Sequence, residues 1–151
     1  MTELVRTNSS HPDFVNLVQL LDADLAFRDG AENAYYAQFN KIDSLKNCVV
    51  AYIDGQAVGC GAFKPFEAGK SVEVKRMYVL ESHRGKGIAG LILAELEKWA
   101  FELGYPQSVL ETGKRQPEAI ALYTKHGYHV IENYGQYKGI ENSVCFMKSL
   151  R

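Results

Sequence analysis

The stretch from Ser71 to Leu103 constrains this chain more than any other. SVEVKRMYVL has the residue types of a long strand, ESHRGKGIAG follows it, and Ile88, Leu91, Ile92, Leu96, Trp99, Ala100 and Leu103 then recur at helical spacing up to Gly104 and Pro106. A strand therefore feeds the strongest helix in the chain through a loop with two glycines. Gly85 and Gly87 let the backbone approach a ligand closely, and the first N–H groups of the helix carry the positive end of its dipole. Such a junction binds phosphate. Arg84 can grip two phosphoryl oxygens, and Lys86 adds a mobile point charge.

Which phosphate ligand the loop takes depends on its setting. Gly85, Gly87 and Gly90 satisfy G-x-G-x-x-G, and Glu111 follows about twenty residues on, where a dinucleotide fold places its ribose acid. Two features weigh against that reading. Four polar residues, Glu81 to Arg84, separate the strand from Gly85, and only one strand-helix-strand crossover is visible. The P-loop spacing fails as well, because Gly87 follows Lys86 and Leu80 holds the place of the first glycine. A different phosphate carrier is expected.

The flanking segments read as an α/β (α+β) chain. Glu3–Thr7 suits a first strand. Ser10-His11-Pro12-Asp13 has the S-x-x-D form of a helix start, and Phe14, Leu17, Val18, Leu21 and Leu25 make an apolar stripe on a helix of roughly three turns, interrupted at Gly30. Ala31–Asn40 predicts a second short helix carrying Tyr35, Tyr36 and Phe39. Cys48–Ile53 and Ala57–Lys64 flank Asp54-Gly55, the signature of a tight hairpin. In Ser71–Leu80, a regular pleat puts Glu73, Lys75, Met77 and Val79 on one face, a sharing that a bulge would change. Ser108–Thr112 is a further strand, Pro117 opens a helix ending at Gly127, and Tyr128–Glu132 and Ser143–Ser149 close the chain. The order predicts a mixed, mostly antiparallel sheet of roughly six to seven strands flanked by about four helices.

Length and charge narrow the partners. The 151 residues suit one domain, 1–151, and a net charge of -1 provides no global field for nucleic acid. No apolar run is long enough to span a membrane and Met1–Ser10 lacks signal-peptide character, so a cytoplasmic location is expected. Cys48, Cys60 and Cys145 stand apart in apolar runs and read as reduced core thiols, and the four histidines show no metal-ligand spacing. His126 and His129 read as helix-end or solvent-facing groups, and no metal is implied.

Arg84-Gly85-Lys86-Gly87-Ile88-Ala89, the preceding Glu73–Val79, and Ala119-Ile120-Ala121-Leu122-Tyr123-Thr124-Lys125-His126-Gly127-Tyr128 resemble, in order and spacing, the motifs of the GCN5-related N-acetyltransferases, the GNAT superfamily. The resemblance implies acetyl-CoA as cosubstrate. It implies that the backbone of Met77 and Val79 pairs with the pantetheine arm like an added strand, and that Arg84, Gly85, Gly87, Ile88 and Ala89 hold the pyrophosphate, with Lys86 beside them. Gln116 stands where many relatives carry an asparagine that contacts the pantetheine, so the chain departs from the pattern there.

Acetyl transfer to an amine needs a deprotonated amine, a polarised carbonyl and a proton for the departing thiolate. Glu73 sits where several relatives place a general base, and its other reading is a cross-strand ion pair with Lys75 as an available partner. Tyr123 matches the family's general acid and could otherwise be a packing aromatic. The Met77 N–H would meet the oxyanion if the strand is bulged. The resemblance implies that Arg28, Asp29, Tyr35, Tyr36, Tyr134 and Tyr137 lie in the regions that shape the acceptor pocket, and aromatics there would suit a small-molecule amine. A non-catalytic acyl-CoA-binding module and a dinucleotide-binding domain are the alternatives, and a homodimer through the last strands is compatible with the sequence.

Overall fold

The computed structural model describes residues 1–29, 45–67 and 69–150. Asp54 and Gly55 both adopt positive φ, 50° and 80°, which matches the right-handed twist of the strands they join, β2 (Asn47–Ile53) and β3 (Gln56–Phe66). β1 (Thr2–Thr7) pairs antiparallel with β2, and β3 pairs antiparallel with β4 (Ser71–Val79). Beyond β4 come β5 (Gln107–Gly113), β6 (His129–Ile131) and β7 (Ser143–Ser149), and the seven strands run β1-β2-β3-β4-β5-β7-β6. Every neighbouring pair is antiparallel except β4 with β5, so the mixed, mostly antiparallel sheet expected from the element order is formed.

The helices take opposite faces because the strands alternate their side chains. α1 (Pro12–Asp29) lays Phe14, Leu17 and Val18 on Cys48, Val50, Cys60 and Ala62. α2 (Ile88–Glu102) lays Ile92, Leu93 and Leu96 on Val49, Ala51, Val58 and Phe63, and α3 (Pro117–Lys125) adds Tyr123 to that second core. α1 is 18 residues long, two turns more than its apolar stripe suggested, since propensity carries the helix past Leu25. Its expected Ser10 capping box is also replaced. His11 is the cap: its carbonyl accepts the first helical bond from Val15, and its Nδ1 accepts the Asp13 N–H at 3.1 Å. The short helix expected over Ala31–Asn40 lies outside the described residues, as do the side chains of Arg28 and Asp29. All three cysteines are free and buried, as read.

Two features of the sheet position the site. In β3, Gly59 and Gly61 face α2, and a Cβ on Gly61 would stand 2.5 Å from Met77 Sδ and 2.9 Å from Leu96 Cδ1, so the missing side chains let α2 lie close against the sheet. Opposite Gly61, β4 bulges: Cys60 pairs with Tyr78 but Ala62 pairs with Lys75, leaving Arg76 and Met77 to oppose one residue. Arg76 takes φ 61° there. The bulge corrects the regular alternation expected for β4. Glu73 and Lys75 keep the α1 side, whereas Met77 and Val79 join Val72 and Val74 in the α2 core.

Candidate active site

The site begins where two parallel strands stop pairing. β4 and β5 are in register only at Val72 with Ser108 and Glu73 with Val109, and beyond Glu73 they part. The edge of β4 from Val74 to Val79 therefore opens into a cleft within the sheet, where an extended ligand could add as a strand. That cleft holds about 400 Å³, and its walls include Met77, Val79, Arg84, Gly85, Gly87, Ile88, Ala89, Gln116 and Tyr123. Lys86 is exposed and is not among the lining residues.

The glycine loop forms one end of the cleft. Gly85 and Gly87 have φ 78° and 80°, and Gly87 is the N-cap of α2, so the turn itself requires both. A Cβ at either position would meet nothing within 4 Å, which leaves their surface open to a ligand. The first helical bond of α2 runs from Leu91 N–H to Gly87 O, and the N–H groups of Ile88, Ala89 and Gly90 point out of the helix start. Arg84 is held over this opening, its Nε donating to Val79 O at 2.9 Å and its guanidinium lying 5.4 Å from the centre of the Tyr78 ring. An open cradle of free N–H groups beside a guanidinium fits a pyrophosphate. His126, the C-cap of α3, seats its ring 2.8 Å from where a Gly90 Cβ would be, so it walls the cleft and ties α3 to the start of α2.

A second cavity of about 110 Å³ adjoins the first, and Leu21, Met77, Gln116, Ala119 and Tyr123 line both. Glu73, Lys75, Arg76, Glu111 and Tyr137 complete its polar wall. Glu73 is 2% exposed. Tyr134 Oη donates to Glu73 Oε2 at 2.8 Å, and the ring of Tyr134 is held against Phe66 and Tyr137 at 4.8 and 5.8 Å. Lys64, in register with Glu73 across the strands, places its Nζ 3.8 Å from Glu73 Oε1, and Lys75 on the same strand also feels the Glu73 charge. Burial holds the Lys75 ammonium below its ordinary value of 10.5, with Glu73 pulling the other way. Tyr123 is buried, and burial with the nearby Glu111 charge pushes its phenol up. Burial likewise raises the thiols, Cys48 to about 12 and Cys145 to about 11, which makes them poor nucleophiles.

Glu73 and Tyr123, far apart in sequence, thus meet at one cavity, with Met77 and Gln116 at its mouth. Sequence reasoning missed Arg76, whose Nη1 donates to Asp22 Oδ1 at 2.8 Å while its Nε and Nη2 have no hydrogen-bond partner among the described residues. A left-handed arginine leaves no mark in the sequence. Glu111, the ribose acid of the dinucleotide-binding alternative, lines the smaller cavity and not the glycine-loop cleft, and the described sheet has one parallel pair where a dinucleotide fold needs several. Tyr35 and Tyr36 lie outside the described residues.

The acetyltransferase (GNAT) family model matches residues 14–128. This chain belongs to the GNAT family. Among its relatives, an IAA acetyltransferase of Azospirillum brasilense is 39% identical over 89 residues, 59% of this chain and 58% of that protein. The chain spans about half to two thirds of the length of the curated relatives it matches. A crystal structure from Klebsiella pneumoniae, of a protein assigned as an acyl-CoA N-acyltransferase, superposes with a TM-score of 0.83 at 28% identity, covering 100% of this chain and 99% of that one. A GNAT acetyltransferase from Elizabethkingia anophelis, solved with acetyl-CoA bound, shares the fold at a TM-score of 0.68 and 18% identity over 99% and 98% of the two chains. Among the described residues of this GNAT chain, no helix is long and apolar enough to cross a membrane.

Proposed function

We propose that residues 1–151 form a single cytoplasmic N-acetyltransferase domain that moves an acetyl group from acetyl-CoA to the primary amine of a small molecule, directly, within a ternary complex. The observation that carries this reading is the continuity of the glycine-loop cleft with the cavity holding Glu73 and Tyr123. Acetyl-CoA supplies an acetyl group activated as a thioester. Arg84, Gly85, Gly87, Ile88 and Ala89 hold its pyrophosphate, assisted from outside by Lys86, and the backbone of Met77 and Val79 takes the pantetheine arm, with Gln116 across the cleft.

Each catalytic role follows from position. Glu73, fixed by Tyr134, accepts the proton of the incoming ammonium. The Met77 N–H, turned by the bulge, donates to the carbonyl oxygen. Tyr123 keeps its proton throughout the neutral range because burial raises its phenol, and it delivers that proton to the departing sulfur. The small polar cavity, with tyrosine walls, suits a small amine better than an extended peptide.

The test is a calorimetric titration with acetyl-CoA beside NADH, followed by thiol release with a panel of amines. One-to-one binding of acetyl-CoA alone is expected. Glu73→Gln and Tyr123→Phe should each lower turnover about a hundredfold while leaving acetyl-CoA affinity nearly unchanged. Binding without transfer to any amine would make the chain an acyl-CoA-binding module instead.

A further inference from the structure

The cavity proposed for the acceptor amine already contains an amine. Lys75 is the one lysine among the described residues lining it, two positions before Met77 and on the same side of β4 as Glu73. We infer that Lys75 is itself an acetyl acceptor, so that the protein acetylates its own cavity when acetyl-CoA is bound and no external amine occupies the site. This inference rests on the reading of the cavity as the acceptor pocket.

The geometry supports it in three ways. The cavity opens onto the glycine-loop cleft at Met77, Gln116 and Tyr123, so a thioester reaching that junction from the cleft faces the wall that Lys75 lines. Glu73, on the same strand face, is placed to take a proton from the Lys75 nitrogen. Desolvation favours the neutral amine, the only form that can attack. In the reaction the Lys75 Nζ lone pair forms the new C–N bond as the C–S bond breaks. The proton lost from nitrogen passes to Glu73, the thiolate leaves with the phenolic proton of Tyr123, and Glu73 and Tyr123 re-equilibrate through solvent. The products are an Nε-acetyl lysine and free CoA.

The amide is stable, so this is a modification and not an intermediate of turnover. It adds bulk to a cavity of about 110 Å³ and removes a cation from a wall it shares with Glu73 and Glu111. Turnover of external amines should fall in step with it.

Intact-protein mass spectrometry after incubation with acetyl-CoA, with peptide mapping, tests the inference. The expected result is one added acetyl group at Lys75, at a first-order rate independent of protein concentration, and absent from Lys75→Arg protein that melts as the wild type does. The rate should fall about a hundredfold in Tyr123→Phe, since the same proton donor serves the same leaving group. Modification confined to other lysines, or unchanged in Lys75→Arg, would overturn it. Should acetyl-CoA bind and free amines be acetylated while Lys75 stays unmodified, the inference falls and the proposed function stands. Absence of acetyl-CoA binding would bring down both.

Discussion

Arg76 concentrates the cost of this site in one residue. A non-glycine residue at φ 61° is strained by about 1–2 kcal/mol, and here its side chain is also buried to 2% exposure with two nitrogens unpaired among the described residues. What holds it is a hydrogen bond from Cys60 Sγ to its carbonyl and the ion pair with Asp22, which is half-exposed. Removing Asp22 would strand the buried guanidinium, so Asp22→Ala should cost about 2 kcal/mol in thermal or urea unfolding, and it should lower turnover more than acetyl-CoA affinity by loosening the bulge. Lys75 gives a second residue-scale expectation. Its folded value lies below 10.5, so the folded state binds fewer protons than the unfolded state between the two values, and stability rises with pH through that window. Lys75→Met should therefore be the more stable protein at neutral pH, with an advantage that shrinks as pH approaches 10.5. The sequence placed Glu73, Lys75 and Met77 on one face only for a regular pleat, and it could not locate the bulge that separates them, because alternation is the signal a strand offers and a bulge without glycine leaves no trace in it.

Among the elements, those with local signals were legible. Asp54-Gly55 specified its turn, and of the α2 stripe Ile88, Ile92, Leu96 and Ala100 are buried as expected, whereas Leu91 and Leu103 are exposed. Elements defined by what packs on them were not. VGCGAF read as an apolar run, yet its glycines are there because α2 needs the room. Gly61→Ala should destabilise by about 1–3 kcal/mol in chemical denaturation, since Met77, Leu96 and Ile92 all stand within 3.0 Å of the added carbon. Gly87→Ala makes a useful contrast. The added methyl meets nothing, so its cost of about 1–2 kcal/mol comes from φ 80° alone, and it should appear with weakened acetyl-CoA binding in the titration. For α1, the Ser10 pattern marked the correct region, but a histidine at the next position competes for the same N–H groups and prevails.

At the scale of the whole molecule, the sequence conveyed the order of elements and the family motifs that bind them into one site. It did not convey that β7 inserts between β5 and β6, which depends on long-range pairing. Nor did it convey how narrowly the sheet is joined at its centre. Four strands lie on one side of the β4–β5 junction and three on the other, and the strands at the junction share only two residue pairs. The structure is thus two leaves with a short spine. A molecule lying along the cleft would rivet them together. Amide hydrogen exchange should then show protection from acetyl-CoA spreading beyond β4 and the glycine loop into β5 and β7, at positions that the ligand never touches.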